Sequence, residues 1–162
     1  YTRLFDKLVL RTHAEFGFIG AYNNDRGVIP FDRFFLGGDG MSQYAMDGRE
    51  MISLRGYPNQ SLSSQNGSTI YNKFSLELRY PITLKPAASI FGLTFLESGQ
   101  GFDNFREYNP FNSKRSMGVG LRIFMPAFGL LGIDFGYGLD GVNDNDLTPN
   151  GWETHFVIGQ NF

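Results

Sequence analysis

Apolar and polar side chains alternate with a period of two along most of this chain, and that period constrains its fold more than any other feature. In the segment 71–80, one side carries Phe74 and Leu76, and the other side carries Glu77 and Arg79. A helix would scatter these two sets around its axis, whereas a strand separates them onto opposite faces. The alternation predicts six strands: Leu8–Tyr22, Tyr71–Tyr80, Ala87–Glu97, Arg115–Met125, Leu130–Leu139 and Trp152–Phe162.

Charges and loop lengths indicate what kind of sheet these strands form. One face carries Arg11, Glu15, Lys73, Glu77, Arg79, Arg122 and Asp134. The dry core of a soluble sandwich could not bury this set, because each unpaired charge costs several kcal/mol, whereas a wet lumen can hold it. The predicted short turns are Pro81–Pro86 and Pro126–Ala127, and the long loops are Asn23–Asn66, Ser98–Ser113 and Asp140–Gly151. This arrangement predicts an all-β fold, an antiparallel transmembrane β-barrel.

The composition excludes several other classes of protein. The 14 basic and 16 acidic side chains give a net charge of −2, so the chain offers no basic surface for a nucleic acid. Without cysteine it forms no disulfide and no thiolate metal site. The longest uncharged apolar stretches, Pro86–Leu96 and Ile123–Ile133, are shorter than the roughly 18 residues of a transmembrane helix. The first residues also lack the apolar run of a signal peptide.

Six strands are too few to close a barrel in lipid, which needs about eight. An open edge would expose about ten backbone polar groups to hydrocarbon, at a cost of several kcal/mol each. We therefore expect the chain either to assemble with further copies or to be the C-terminal part of a longer polypeptide, and we favour the second alternative.

Three sets of residues resemble those of a known family. They are Pro30–Gly38 followed by Leu54–Tyr57, then Met117–Pro126 with Phe128–Tyr137, and finally His155–Phe162. In this order they resemble the BamA family of outer-membrane protein assembly factors. The resemblance implies that residues 1–162 are the last six strands of a sixteen-stranded barrel in a Gram-negative outer membrane, with an extracellular loop at 23–66. The family's periplasmic POTRA domains and earlier strands are absent from this chain, and the insert Asp39–Met51 is longer than usual.

The resemblance also implies a role for one short motif inside the long loop. Its residues here are Leu54, Arg55, Gly56 and Tyr57. In the family the arginine folds back into the lumen and pairs with acidic side chains, which implies Glu77 and Glu97 as partners of Arg55. Alternation places Glu77 on the inward face but groups Glu97 with the apolar side chains of its strand, so Glu97 would need a bulge or the end of the strand to turn inward. Gly56 would permit a tight bend with positive φ, and the aromatic residue would pack against the barrel wall.

The final strand is a second candidate site. Its residues are His155, Phe156, Ile158, Gly159 and Phe162. In the family this strand meets the first strand of the barrel, and the seam between them opens sideways to accept incoming strands. Gly159 would weaken the packing here, and Phe162 would lie in the periplasmic aromatic girdle. An ordinary closing strand is the alternative interpretation.

The function implied by the resemblance is the folding and insertion of β-barrel proteins into the outer membrane, with no enzymatic activity, cofactor or metal. The implied partners are outer-membrane lipid, nascent outer-membrane β-barrel proteins and accessory outer-membrane lipoproteins. Both histidines, His13 and His155, are predicted to face inward, where no nucleophilic serine motif accompanies them. The alternatives are a sister-family transporter for two-partner secretion or autotransporter assembly, an outer-membrane enzyme such as a phospholipase, a passive pore and a soluble lectin-like sandwich.

Overall fold

The computed structural model describes residues 1–20, 28, 32–40, 50–85, 88–126, 129–143 and 146–159. Within these ranges the chain forms nine strands and no α-helix. They are β1 (Thr2–Phe5), β2 (Leu8–Phe18), β3 (Phe34–Leu36), β4 (Glu50–Ile52), β5 (Ile70–Lys85), β6 (Ala88–Phe102), β7 (Lys114–Met125), β8 (Gly129–Gly138) and β9 (Gly151–Gly159). None of the described ranges contains a helix long and apolar enough to cross a membrane.

Seven of the strands form one antiparallel sheet in the order β1-β2-β5-β6-β7-β8-β9. The short strands β3 and β4 pair in parallel within the connection between β2 and β5. The prediction of an all-β, mostly antiparallel fold is therefore confirmed, and within the described residues the sheet is open rather than closed.

The strand β1 is absent from the sequence prediction. It pairs with β2 through a turn at Asp6 and Lys7, and Asp6 has a φ of +28°. Four residues are too few for a period of two to stand out, so the sequence pattern carries no signal for this strand.

Two predicted connections are shorter than expected. β5 continues through Pro81 to Lys85 and β6 begins at Ala88, so the predicted turn Pro81–Pro86 is mostly strand. The pairing register shifts just after Pro81, and such an irregularity accommodates a proline, which cannot donate to the ladder. β6 likewise continues to Phe102, beyond its predicted end at Glu97. The predicted strand ends at Tyr22 and Phe162 lie outside the described residues.

The two faces of the large sheet differ in polarity. The outer face exposes apolar side chains, including Leu76, Leu96, Val119, Phe135 and Phe156. The inner face buries polar and charged side chains, including Glu77, Glu97, Ser116, Asp134 and His155. An apolar outside and a polar inside are the arrangement of a membrane barrel wall.

Glu97 lies on the inner face in the interior of β6 and without a bulge, so the expectation that it needs a bulge or the end of the strand is wrong. It pairs with Ser75 of β5 and Ser116 of β7 with no register shift nearby, and all three side chains are buried. Phe95 shares this face and is only 2% exposed, because the guanidinium of Arg55 covers its ring. Because Phe95 is apolar, the alternation assigns its face of β6 to the outside, although that face points inward.

The described residues 32–40 and 50–69 of the connection between β2 and β5 are called here the inner loop, and they pack on the inner face of the sheet. It has a core of its own, formed by Phe34, Leu36, Ile52, Leu54, Tyr57 and Leu62 together with Tyr71 of β5. The rings of Phe34 and Tyr71 meet edge to face with centroids 4.6 Å apart. This core fixes the inner loop against the strands and brings Leu54–Tyr57 to the centre of the inner face.

Candidate functional site

The inner loop carries Arg55 on a turn that requires glycine at the next position. Gly56 has a φ of +87°, and a Cβ at this residue would lie 3.0 Å from the backbone nitrogen of Gly138. Any side chain would therefore be both strained and crowded. Leu54 and Tyr57, on either side, are fully buried in the core of the inner loop, so the turn is fixed from both ends.

The guanidinium of Arg55 binds carboxylates from three strands. Its Nη2 donates to Oε1 of Glu77 at 2.8 Å and to Oε1 of Glu97 at 2.5 Å, and its Nη1 donates to Oδ2 of Asp134 at 3.3 Å. Its backbone N–H donates to the other oxygen of Glu97 at 3.0 Å. The Cζ atom lies 3.8 Å from the ring centroid of Phe95, which adds a cation–π contact. Arg55 thus connects the inner loop to β5, β6 and β8.

Other arginines balance the charge of these carboxylates. Arg122 binds Asp134 through two parallel hydrogen bonds of 2.7 and 2.5 Å. Arg79 donates from Nε to Oε2 of Glu77 at 2.8 Å, and Nη1 of Arg11 lies 3.7 Å from the same carboxylate. Burying a carboxylate is costly unless it is paired and hydrogen-bonded, and every carboxylate of this cluster meets that condition. The cluster borders a polar cavity of about 290 Å³ on the inner face.

Glycines on the inner face of β7 and β8 make room for the cluster. A Cβ at Gly120 would overlap the carboxylate of Asp134, and one at Gly132 would lie 2.6 Å from Cδ of Arg122. A Cβ at Gly136 would lie 2.5 Å from the backbone nitrogen of Gly56. The glycines on the inner faces of these strands therefore leave the space that the inner loop and its ion pairs occupy.

The residues after Arg55 attach the inner loop to the C-terminal part of the sheet. The N–H of Gly56 donates to Nε2 of His155 on β9 at 2.9 Å, and its carbonyl accepts from Nδ2 of Asn150 at 3.0 Å. The hydroxyl of Tyr57 donates to the backbone carbonyl of Arg115 on β7 at 2.7 Å. The motif and its contacts therefore span β5 to β9.

Burial and charge set the protonation of the loop residues. Burial disfavours the charged form of Arg55, but the three carboxylates around it, Glu97 foremost, raise its pKa above the ordinary value. The guanidinium therefore stays charged. Burial raises the pKa of Tyr57 to about 12, so its hydroxyl stays a donor at physiological pH. Hydrogen bonds from Arg115 lower the pKa of Asp140, which follows β8.

The comparisons with known proteins agree with this architecture. A family model described as the Omp85 superfamily domain matches residues 1–162. The chain belongs to the Omp85 superfamily. Omp85 membership implies outer-membrane protein insertion or secretion, and members act as insertases or transporters rather than as enzymes. The superfamily and the strand-rich sheet together fit an outer-membrane β-barrel. No curated protein matches the chain.

In this Omp85 chain, the structure brings the motif Leu54–Tyr57 together with Glu77, Glu97 and His155. On the final strand, Phe156 and Ile158 are exposed on the outer face, and Gly159 is the last residue of β9. The other predicted residue of this site, Phe162, lies outside the described residues.

Alternation places Asp134 and Arg122 on the inward face without predicting that Asp134 contacts Arg55. The signal was present, since Asp134 is the one acidic residue on the inner side of β8 and its neighbours on that side are glycines. His13 is exposed, whereas His155 is buried against the Gly56 backbone. In the described part of the chain, no group of three or more His, Cys, Asp or Glu side chains could hold a metal ion.

Proposed function

We propose that this chain is the C-terminal part of a BamA-like, sixteen-stranded barrel that folds and inserts other β-barrel proteins into a Gram-negative outer membrane. The observation that carries the proposal is the attachment of the inner loop to three strands through Arg55. The partners would be outer-membrane lipid, nascent β-barrel proteins and accessory outer-membrane lipoproteins. The activity requires no cofactor and no covalent step.

The attached inner loop favours insertion over passage through the lumen. An exported polypeptide or a solute crossing the lumen would have to displace the loop, and with it the ion pairs from Arg55 to Glu77, Glu97 and Asp134. Separating one partner of a buried ion pair costs about 3–5 kcal/mol. A protein that receives strands at the edge of its sheet needs no such displacement.

The decrease in strand length toward β9 supports a C-terminal sheet edge that pairs weakly. β5 has 16 residues, β6 has 15, β7 has 12 and β8 has 10. The exposed apolar side chains run from Phe74 to Leu84 on β5 but only from Leu131 to Phe135 on β8, so the apolar belt narrows toward this edge. A narrow belt thins the neighbouring lipid, and an edge strand offers backbone groups to an incoming strand by β-augmentation. Gly159 adds no side-chain packing at the end of β9.

Depletion of the full-length protein in its host tests the proposal. We expect the outer-membrane levels of many unrelated β-barrel proteins to fall, and re-expression of the wild-type protein to restore them. If depletion instead stops the secretion of one dedicated partner while the other barrel proteins keep normal levels, the protein is a sister-family transporter and the insertase proposal is refuted. Quantitative proteomics of isolated outer membranes distinguishes the two outcomes.

A further inference from the structure

The connection between β6 and β7, residues 103–113, is called here the outer loop. Phe105, Tyr108 and Pro110 of this loop lie over the outer face of the sheet, whereas Asp103 is hydrogen-bonded to Ser64 and Thr69 of the inner loop. Asn72 of β5 pairs with Phe16 of β2, which is 60% exposed on that face. Asn72 itself is fully buried, and its side-chain amide donates to the carbonyl of Pro110 at 3.3 Å. The outer loop therefore covers the end of β5 that lies nearest the long connections.

Two further contacts hold the outer loop in this position. Phe102 of β6 also lies on the outer face and is 8% exposed, because the ring of Tyr108 packs on it edge to face at 5.3 Å. The hydroxyls of Ser98 and Ser113 share a hydrogen bond close to the point where the pairing of β6 with β7 ends. These contacts give the outer loop a defined structure on the outside of the sheet.

The outer loop presents an exposed aromatic ring next to the apolar outer face. Phe105 is 66% exposed and meets Phe18 of β2 edge to face, with centroids 6.0 Å apart. Phe18 is 71% exposed, and on the same face Phe16 and Phe74 meet edge to face at 5.3 Å. Phe105 therefore continues the apolar surface of the strands onto the loop.

The height of the apolar band places the ring of Phe105 at the boundary between the hydrocarbon and the lipid headgroups. On β5, exposed apolar side chains run from Phe74 to Leu84. Ten residues of strand span about 33 Å, and a tilt of about 40° reduces this to about 25 Å, the height of a barrel's apolar band. Asn72 and the outer loop lie beyond Phe74, on the long-loop side, and so at headgroup level. Aromatic side chains are favoured at that level, where hydrocarbon gives way to water.

We propose that the outer loop is a lipid-binding element, in which Phe105, resting on Phe18, inserts at the headgroup boundary of the leaflet on the long-loop side. The occupant is lipid because the ring is continuous with the lipid-facing strands, while the polar amide of Asn72 is turned against Pro110 and away from hydrocarbon. This anchor goes beyond the insertase proposal and depends only on the sheet lying in a membrane.

Nitroxide depth measurement tests the anchor. Phe105→Cys, Phe74→Cys and Leu147→Cys are each made in the full-length protein without other cysteines, spin-labelled and reconstituted into phosphatidylethanolamine–phosphatidylglycerol vesicles. Phe74 marks the apolar band, and Leu147, 99% exposed between β8 and β9, is the matched loop control. The readout is the ratio of collisions with oxygen, which partitions into lipid, to collisions with a water-soluble nickel complex. Folding of each variant is checked by its mobility in unheated gels.

We expect the ratio at residue 105 to be clearly above that at residue 147 and to approach that at residue 74. A ratio at 105 equal to that at 147 would show a ring in water and overturn the proposal. A label at 105 shielded from both oxygen and nickel would overturn it as well, since that pattern indicates a protein partner or a second copy. None of these outcomes depends on the depletion phenotype, so the anchor and the insertase function are tested separately.

Discussion

The backbone N–H of Gly56 donates a hydrogen bond to Nε2 of His155 across 2.9 Å. An acceptor at Nε2 requires a neutral imidazole with its proton on Nδ1. His155 is 4% exposed, so water does not replace this bond easily. The bond connects the inner loop to β9, while the neighbouring Arg55 connects it to β5, β6 and β8. One short turn therefore holds together the strands of the C-terminal edge and those behind it.

Replacing His155 by phenylalanine keeps an aromatic ring but removes the acceptor for the Gly56 N–H. Leaving a buried donor unsatisfied costs about 1–3 kcal/mol. We expect the full-length His155→Phe protein to have a lower melting temperature and faster protease cleavage within residues 59–66 of the inner loop. His13→Phe is the matched control, because His13 is exposed. Equal cleavage rates in the two variants would contradict a structural role for this bond.

Replacing Arg55 by alanine leaves Glu97 and Asp134 with fewer donors in a buried site. The loss of one partner costs about 3–5 kcal/mol in a dry interior and falls toward about 1 kcal/mol where water enters. We expect the inner loop to detach without loss of the barrel, so that residues 59–66 are cleaved while the unheated protein still migrates as a folded band. Arg106→Ala, at an exposed arginine of the outer loop, is the control. Unchanged cleavage in Arg55→Ala argues against the attachment.

The alternation of side chains was sufficient to predict the principal strands and, for most of them, which face points inward. This is possible because the pattern of apolar and polar residues within one strand distinguishes its two faces without information from other segments. It placed Glu77 and Asp134 inward, and both are buried. It misjudged Glu97, because Phe95 beside it is apolar yet faces inward under Arg55. Whether an apolar ring faces lipid or a loop depends on what covers it, and that information is not local.

The features that the sequence does not predict depend on contacts between segments that are distant in the chain. Alternation marks Asp134 as an inward acidic residue, but it does not specify that Arg55 is the residue that Asp134 contacts, because that contact depends on the packing of the inner loop on the inner face. The outer loop is a similar case. Asn72 lies on the outer face of β5, as the alternation predicts, yet it is buried under Pro110. The pattern of residues within β5 cannot predict that the outer loop covers this position.

Replacing Gly56 by alanine tests the turn itself. A residue with a side chain at a φ of +87° is strained by about 1–3 kcal/mol, and its Cβ would crowd the nitrogen of Gly138 at 3.0 Å. We expect Gly56→Ala to release the inner loop as Arg55→Ala does, measured by the same cleavage. Gly20→Ala is the control, since no atom lies within 4 Å of a Cβ there. If both glycine variants resist protease equally, the geometry of the turn is not essential.

Because of Tyr57, we expect the stability of the folded inner loop to decrease at alkaline pH. Burial raises the pKa of its hydroxyl to about 12, above the ordinary value of about 10, so folding favours the protonated form. That stabilisation is complete below about pH 10 and is lost as the pH rises through about 12, when the hydroxyl can no longer donate to the carbonyl of Arg115.

Melting temperatures of the full-length protein and of Tyr57→Phe, compared from pH 8 to pH 12, measure this effect. At pH 8 the variant lacks the hydrogen bond from the Tyr57 hydroxyl to the carbonyl of Arg115 and the one that this hydroxyl accepts from the N–H of Asp140. Each is worth about 0.5–1.5 kcal/mol, so we expect the variant to be less stable. Between about pH 10 and 12 the wild type loses its advantage, because only the wild type has this group to ionise, and the two curves converge. A difference that stays constant across this range would show that the Tyr57 hydroxyl does not titrate with the folded loop.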